Sequence, residues 1–494
     1  MPSIASGISR EDLIFLSGLV SRRMGLHFPA ERFDSLRDGI VKAAPDFGFS
    51  DAGEFINWLK SSNLERQHIE ALASRLTVGE TYFFREKETF EALEGRILPE
   101  LIESRRESGA LRVWSAGCST GEEPYSVAIL LKRLLQWHGK WNITILATDI
   151  NTGALKKAAR GVYGQWSFRS APEWVKRLYL TPTPEGEYEL SREIRKMVTF
   201  AYMNLAEDIF PSLLNNTNAI DLIICRNVLM YFSSGLAQRI AENFSLCLAE
   251  GGWLIVNPTE AGPHLKLDKL FTHARFNGTA AYRKKAQGPA ETGNETTPPA
   301  PPANEDTAAD SALRAVAPAA APAKEPSSAG GGYAKALEMF GRGLYDEAAA
   351  ALEALACEGP LDRKTAALLA RAKASTGRLD EAAYWCEKAV RAEVLAPGPH
   401  YLLAAILQEK GLTEEALRSL KNAIYLDGKF IIAYFALGSL LLRLGEAAAA
   451  KKHLKAASEL LSACEPDDIV PESEGITAAR LSEIIDSVLD SMRD

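Results

Sequence analysis

The stretch Arg112-Val-Trp-Ser-Ala-Gly117-Cys-Ser-Thr-Gly121-Glu122-Glu123-Pro124 carries the first chemical signal in the chain. An apolar run entering a small-residue turn and then a helix start sets up a cofactor site at the carboxyl end of a strand. Gly117 and Gly121 permit the tight turn and a close backbone approach. Glu122 and Glu123 open the helix where a pyrophosphate would otherwise sit, and like charges repel. That disfavours a nicotinamide dinucleotide and favours a cofactor that brings an ammonium, such as S-adenosylmethionine. Asp149 closes a second apolar run in Ala147-Thr148-Asp149-Ile150-Asn151, where an acid can accept both ribose hydroxyls. An Asp there can equally cap the helix that follows, and both readings hold for different atoms. The cysteines at 118, 225, 247, 357, 386 and 464 form no CxxC pair and no zinc spacing. They read as reduced thiols, and no metal site is expected.

The elements that must hold these residues come from the hydrophobic pattern. Runs at 111–117, 142–150, 219–227 and 253–258 alternate with helical stretches at 123–137, 152–160 and 234–248, which predicts a parallel, doubly wound α/β sheet. Residues 1–78 keep a helical period throughout and predict a small helical domain. The chain has 494 residues, 47% of them hydrophobic and 24% charged, so it is a globular protein of several domains. A net charge of −8 argues against a general nucleic-acid binder. No apolar run suits a membrane span and the opening residues lack a secretory pattern, so the expected location is the cytoplasm, without membrane insertion.

Residues 286–332 are rich in Pro, Ala, Gly, Glu and Thr and predict an extended, flexible linker. Beyond it, Gly343, Gly377, Gly411 and Gly445 recur every 34 residues, each followed at a fixed offset by Ala348, Ala382, Ala416 and Ala450. Such a period is that of paired antiparallel helices. The region resembles the tetratricopeptide (TPR) family, with four repeats over 333–463 and a capping helix in 464–494.

Thr81-Tyr-Phe-Phe-Arg85-Glu86, WSAGCSTGEEPYS (114–126), ATDIN (147–151), Asn204-Leu205 and ICRNVLMYF (224–232) together resemble the chemotaxis protein methyltransferase (CheR) family. The likeness spans about residues 8–285. It implies a helical N-terminal domain, a Rossmann-like methyltransferase domain at 79–285 and a small inserted β-subdomain at about 160–202. Within that insertion Glu187–Ser191 and Met197–Tyr202 are expected to form an antiparallel pair. The implied activity is transfer of a methyl group from S-adenosylmethionine to glutamates of a methyl-accepting chemoreceptor, leaving S-adenosylhomocysteine.

The resemblance also implies roles. Gly79, Thr81 and Arg85 would contact the cofactor, Gly79 through its backbone. Gly117 would line the turn. Glu122, of the two acids, would hold the methionine end and Asp149 the ribose. Asn204 and Leu205 would flank the adenine, Arg226 and Asn227 would close the site, and Arg85 with Tyr231 would lie nearest the transferred methyl. The family's N-terminal domain presents a basic helix to the receptor, whereas residues 1–75 here hold nine Lys or Arg against ten Asp or Glu. Two rival readings stay open: a catalytically idle methyltransferase fold whose TPR array acts as a scaffold, and a nucleotide-dependent oxidoreductase. The TPR groove is expected to bind a peptide or protein, with the linker tethering it to the enzyme.

Overall fold

In the computed structural model, strands Ala110–Ala116 (β1), Asn142–Asp149 (β2), Val162–Tyr163 (β3), Leu180–Pro182 (β4), Tyr188–Leu190 (β5), Val198–Tyr202 (β6), Ile220–Cys225 (β7), Leu248–Val256 (β8), Phe271–Phe276 (β9) and Thr279–Lys284 (β10) form two sheets. The large sheet runs β6-β2-β1-β7-β8-β10-β9 and the small one β3-β5-β4. The structure describes residues 8–285 and 329–492 except 63, 65, 137–140, 208, 213–214, 263–264, 277, 359–361 and 474. Most of the segment read as a linker therefore lies outside the described residues. Its last four residues instead start a helix, Ala329–Gly341.

Five strands of the large sheet are parallel, and β10 and β9 complete it as an antiparallel hairpin. Burial explains the composition: every residue of β7 is buried, as expected for a central parallel strand covered on both faces. Helices Glu122–Leu135 and Thr152–Arg160 follow β1 and β2, and Ser234–Cys247 precedes β8. Trp114, fully buried, packs edge-on against Phe210 and Phe244 on one face of the sheet.

One expected pairing is corrected. Residues 188–190 do pair antiparallel, but with β3 and β4. Residues 198–202 instead join the large sheet as β6, parallel to β2. The inserted sheet thus ends at Leu190, before the boundary expected from sequence. Alternation marks a half-buried strand but does not name its partner.

The N-terminal helices Arg10–Met24, Phe33–Ala43, Ala52–Ser61 and Arg66–Leu76 bury Leu16, Val20, Leu36, Ile40 and Leu72 in one core. The first starts at a capping box, Ser9 with Asp12. Downstream, the TPR array is four helix pairs from Ala329 to Leu461, closed by the helix Ala478–Ser491. Gly343, Gly377, Gly411 and Gly445 end the first helix of each pair in the left-handed region, at φ 76°, 79°, 75° and 84°.

The array is not a free module on a tether. It docks on the amino ends of the parallel strands. Arg112 Nη1 lies 3.7 Å from Glu409 Oε1, and Asn142 Nδ2 donates to the Glu409 carbonyl at 3.1 Å. Asn218 Nδ2 donates to Glu409 Oε2 at 3.4 Å, and Gly343 meets the side chain of Leu246. These residues are polar or isolated in the sequence, so nothing in their spacing announced an interface.

Candidate active site

The opposite, carboxyl end of the sheet is where the chemistry collects. β1 has β2 on one side and β7 on the other, and at such a reversal of strand order the connections diverge and leave a crevice. A cavity open to solvent occupies it. Its lining includes Gly79, Thr81, Arg85, Gly117, Asp149, Asn204, Leu205, Arg226, Asn227 and Tyr231. Of the residues given cofactor or catalytic roles by the resemblance, all but Glu122 thus face one space.

The turn after β1 is built for close approach. Gly117 has φ 82°, and a Cβ there would lie 2.3 Å from Val228 Cγ2. Any side chain would therefore strain the backbone and displace Val228 in the loop after β7. The Asp149 carboxylate accepts from Ser119 N and Asn151 N, both at 2.8 Å. Asp149 does not cap the next helix; Asn151 does, accepting from Ala154 N at 3.0 Å. A carboxylate has about four acceptor sites, so acceptor capacity remains for a ligand hydroxyl. Burial pushes the Asp149 pKa up, against the pull of those backbone donors.

Glu122 is the exception. It is buried but turned from the cavity, accepting from Thr120 Oγ1 at 2.6 Å and from Ser167 Oγ at 3.0 Å, so it ties the turn to the inserted subdomain. Glu123 lines the cavity in its place. Ser115 Oγ donates to it at 2.7 Å and Arg226 Nη1 lies 3.3 Å away. Burial raises its pKa, with Arg226 opposing. Arg226, its side chain 2% exposed, also meets Glu86 at 2.6 Å and donates to the Arg85 carbonyl at 2.9 Å. Its main work is to hold Glu123 and the Arg85 backbone in place.

The TYFFR motif reads clearly in three dimensions. Phe83 and Phe84 are buried, Phe83 stacking on Phe168. Phe84 and Glu86 sit at φ 57° and 60°, a costly left-handed conformation for such side chains. That kink turns Arg85 to the cavity, where its guanidinium donates to the Glu80 carbonyl and lies 5.8 Å from the Tyr82 ring. Behind the loop that carries Asn227 and Tyr231 lies Glu260, which was not singled out from sequence. It is 2% exposed and accepts from Asn227 N at 2.8 Å and Met230 N at 3.2 Å, holding the loop that carries Tyr231. The N-terminal domain closes the cavity with Met24 and Leu26, and His27 N donates to the Tyr231 carbonyl at 2.7 Å.

This donor set fits S-adenosylmethionine. One carboxylate stands at the helix start and another at the end of β2, with a glycine cradle between them. The acids at this turn disfavour a phosphate, and the amides of Gly117, Cys118, Ser119 and Gly121 are already bonded within the protein. Among the described residues no cluster of His, Cys, Asp and Glu suits a metal, and no helix is long and apolar enough to cross a membrane.

Comparison with known proteins agrees. The family described as "CheR methyltransferase, SAM binding domain" matches residues 79–276. The chemotaxis protein methyltransferase of Borreliella burgdorferi is 32% identical over 257 residues, 51% of this chain and 89% of that protein. The Escherichia coli K12 chemotaxis protein methyltransferase is 32% identical over 255 residues, 51% of this chain and 84% of its own length. Among solved structures, MamA 41-end from Desulfovibrio magneticus RS-1 is similar over 27% of this chain and 76% of that one, at 18% identity and a TM-score of 0.26. The repeat assignment rests instead on the four helix pairs and their glycines. With the cavity, its acids and these relatives together, the chain belongs to the chemotaxis protein methyltransferase family.

Proposed function

We propose that this protein transfers a methyl group from S-adenosylmethionine to glutamate side chains of a methyl-accepting chemoreceptor, giving a glutamate methyl ester and S-adenosylhomocysteine. The observation that carries the reading is the convergence of Glu123, Asp149, Arg85 and Tyr231 on one cavity at the switch point of the sheet. Glu123 would hold the amino group and Asp149 the ribose hydroxyls, with Asn204 and Leu205 beside the adenine. When bound, the cofactor supplies an electrophilic methyl on a sulfonium.

The chain's own residues then have a light task. A receptor glutamate is ionised at neutral pH, its reference pKa being about 4.3, so no general base has to remove a proton. Arg85 is free to orient the incoming carboxylate, and Tyr231 to border its path. Burial pushes the thiol of Cys118, which also lines the cavity, well up, so it stays protonated and does not compete as a nucleophile. Positioning and exclusion of water carry the rate. For the TPR array we propose recruitment of, or regulation by, a protein partner. The chain's own segment already reaches its helices, since Glu472 pairs with Arg371 at 2.5 Å and packs on Gly398.

The test is methylation of a chemoreceptor cytoplasmic fragment with methyl-labelled S-adenosylmethionine. The expected product releases its label as methanol in mild alkali. A protein that binds S-adenosylhomocysteine yet yields no alkali-labile methyl on any receptor fragment would leave only the idle-scaffold reading.

A further inference from the structure

Asn204 sits at a junction of three parts of the molecule. It is 2% exposed and lines the cavity. Its Nδ2 donates to the Arg23 carbonyl of the N-terminal domain at 3.1 Å and to Glu207 Oε1 at 3.2 Å, while Ala206 N donates to its Oδ1 at 3.1 Å. Both amide hydrogens are therefore engaged and the amide is held against flipping. One lone pair of Oδ1 remains for a donor in the cavity.

Glu207 is in turn held from the far end of the chain. Arg480, in the helix that closes the TPR array, donates through Nη2 to Glu207 Oε2 at 3.1 Å. Its guanidinium lies 5.2 Å from the ring of Tyr202, the last residue of β6. Tyr202 pairs in register with Asp149, and Met203 N donates to the Asp149 carbonyl at 3.1 Å. The closing helix thus reaches two residues behind the cavity lining, Glu207, which holds Asn204, and Tyr202, on the strand beside Asp149. Both lie at the carboxyl edge of the sheet, far from the Glu409 cluster that docks the array at the amino edge.

We propose that Arg480 is a positioning residue for the cofactor site: through Glu207 it fixes the Asn204 amide, so that cofactor affinity depends on the seating of the TPR capping helix. This rests on the reading of the cavity as an S-adenosylmethionine site. It gives the repeat array a way to report its own state. A partner that shifts the closing helix would loosen the Asn204 wall, and by reciprocity cofactor binding would tighten that helix.

Calorimetric titration of the full chain with S-adenosylhomocysteine tests it. The Arg480–Glu207 pair is partly solvated, with side-chain exposures of 19% and 37%, so Arg480→Ala should raise Kd about two- to fivefold. Glu207→Ala, which also frees Asn204, should raise it about five- to tenfold. The double variant should bind no worse than Glu207→Ala alone, Arg480→Lys should recover part of the loss, and high salt should shrink the Arg480→Ala effect. Glu483→Gln, which breaks only the pair that Arg480 makes within its own helix, should leave Kd unchanged. A wild-type Kd for Arg480→Ala, or losses that multiply in the double variant, would overturn the proposal. A general loosening of the fold would appear as a lowered melting temperature with no rescue by lysine and no salt dependence, which also overturns it. Failure of the wild-type chain to bind S-adenosylhomocysteine would remove the cavity reading itself.

Discussion

The two ends of the large sheet bury polar groups in different ways. At the carboxyl end Asp149, Glu123 and Glu260 are each bound by backbone amides or by Arg226, yet the first two border open space. At the amino end Glu409 meets Arg112, Asn142 and Asn218 in closed packing, its side chain 2% exposed. Burying a charge is costly in both places. Where the charge faces a cavity, the cost serves a ligand. Where it faces a second module, the same cost fixes one docking register for the repeats. Exposure alone does not separate a site from an interface; the empty volume beside the charge does.

Asp149→Ala should break the cavity end most strongly. Losing the ribose contacts should weaken S-adenosylhomocysteine binding ten- to hundredfold, about 1.5–3 kcal/mol, by calorimetry. Unchanged affinity would remove Asp149 from the site. The same end has a pH signature. Burial raises the folded pKa of Asp149 and Glu123, so their contribution to stability is present below the unfolded pKa of about 4 and lost as pH rises through the raised folded values. Cofactor binding needs the charged forms and runs the other way. Acidification from about pH 7 toward pH 4.5 should therefore weaken binding while this pair's contribution to the stability of the cofactor-free protein grows. Comparing that melting curve with the curve of an Asp149→Asn, Glu123→Gln variant isolates the contribution.

At the amino end, Glu409→Ala leaves Arg112 and Asn218 facing the repeats without that carboxylate. A loss of about 1–3 kcal/mol is expected, with the array released from the sheet and a larger radius of gyration in small-angle scattering. An unchanged melting curve and radius would make the cluster an incidental contact.

The carboxyl end was largely legible because its signals are local. Gly117 follows an apolar strand and Asp149 ends one, and strand ends in such a fold gather by topology. Glu122 and Glu123 were not separable. Neighbours on a helix point about 100° apart, and which of them faces the sheet depends on where Gly121, at φ 92°, starts the helix. Glu260 was invisible for another reason, since it binds amides of a loop about thirty residues earlier in the chain. The docking of the repeats was misread as a tether. Arg112, Asn142 and Glu409 have the composition of a solvated surface, and only their partners, far away in sequence, make them an interface. The 34-residue spacing of the four glycines was legible, but that three of them, Gly343, Gly377 and Gly411, face the methyltransferase domain was not.

Those glycines allow the finest measurement of the docking. Gly343 and Gly445 hold the same position in the repeat and nearly the same backbone, φ 76° and 84°. A Cβ on Gly445 meets nothing within 4 Å, whereas on Gly343 it lies 2.2 Å from Leu246 Cδ2 in the methyltransferase domain. Gly445→Ala should therefore report conformational strain alone, about 1–2 kcal/mol for an L-residue in the left-handed region. Gly343→Ala should report the same strain plus the displacement of Leu246. That atom is the tip of a side chain able to turn, so the excess should sit at the low end of overpacking costs, about 1 kcal/mol. The excess is read as the difference between the two variants in denaturant unfolding of the full chain. Equal losses would mean that the repeats do not press on the helix Ser234–Cys247 at Leu246, and the amino-end interface would then shrink toward the Glu409 cluster.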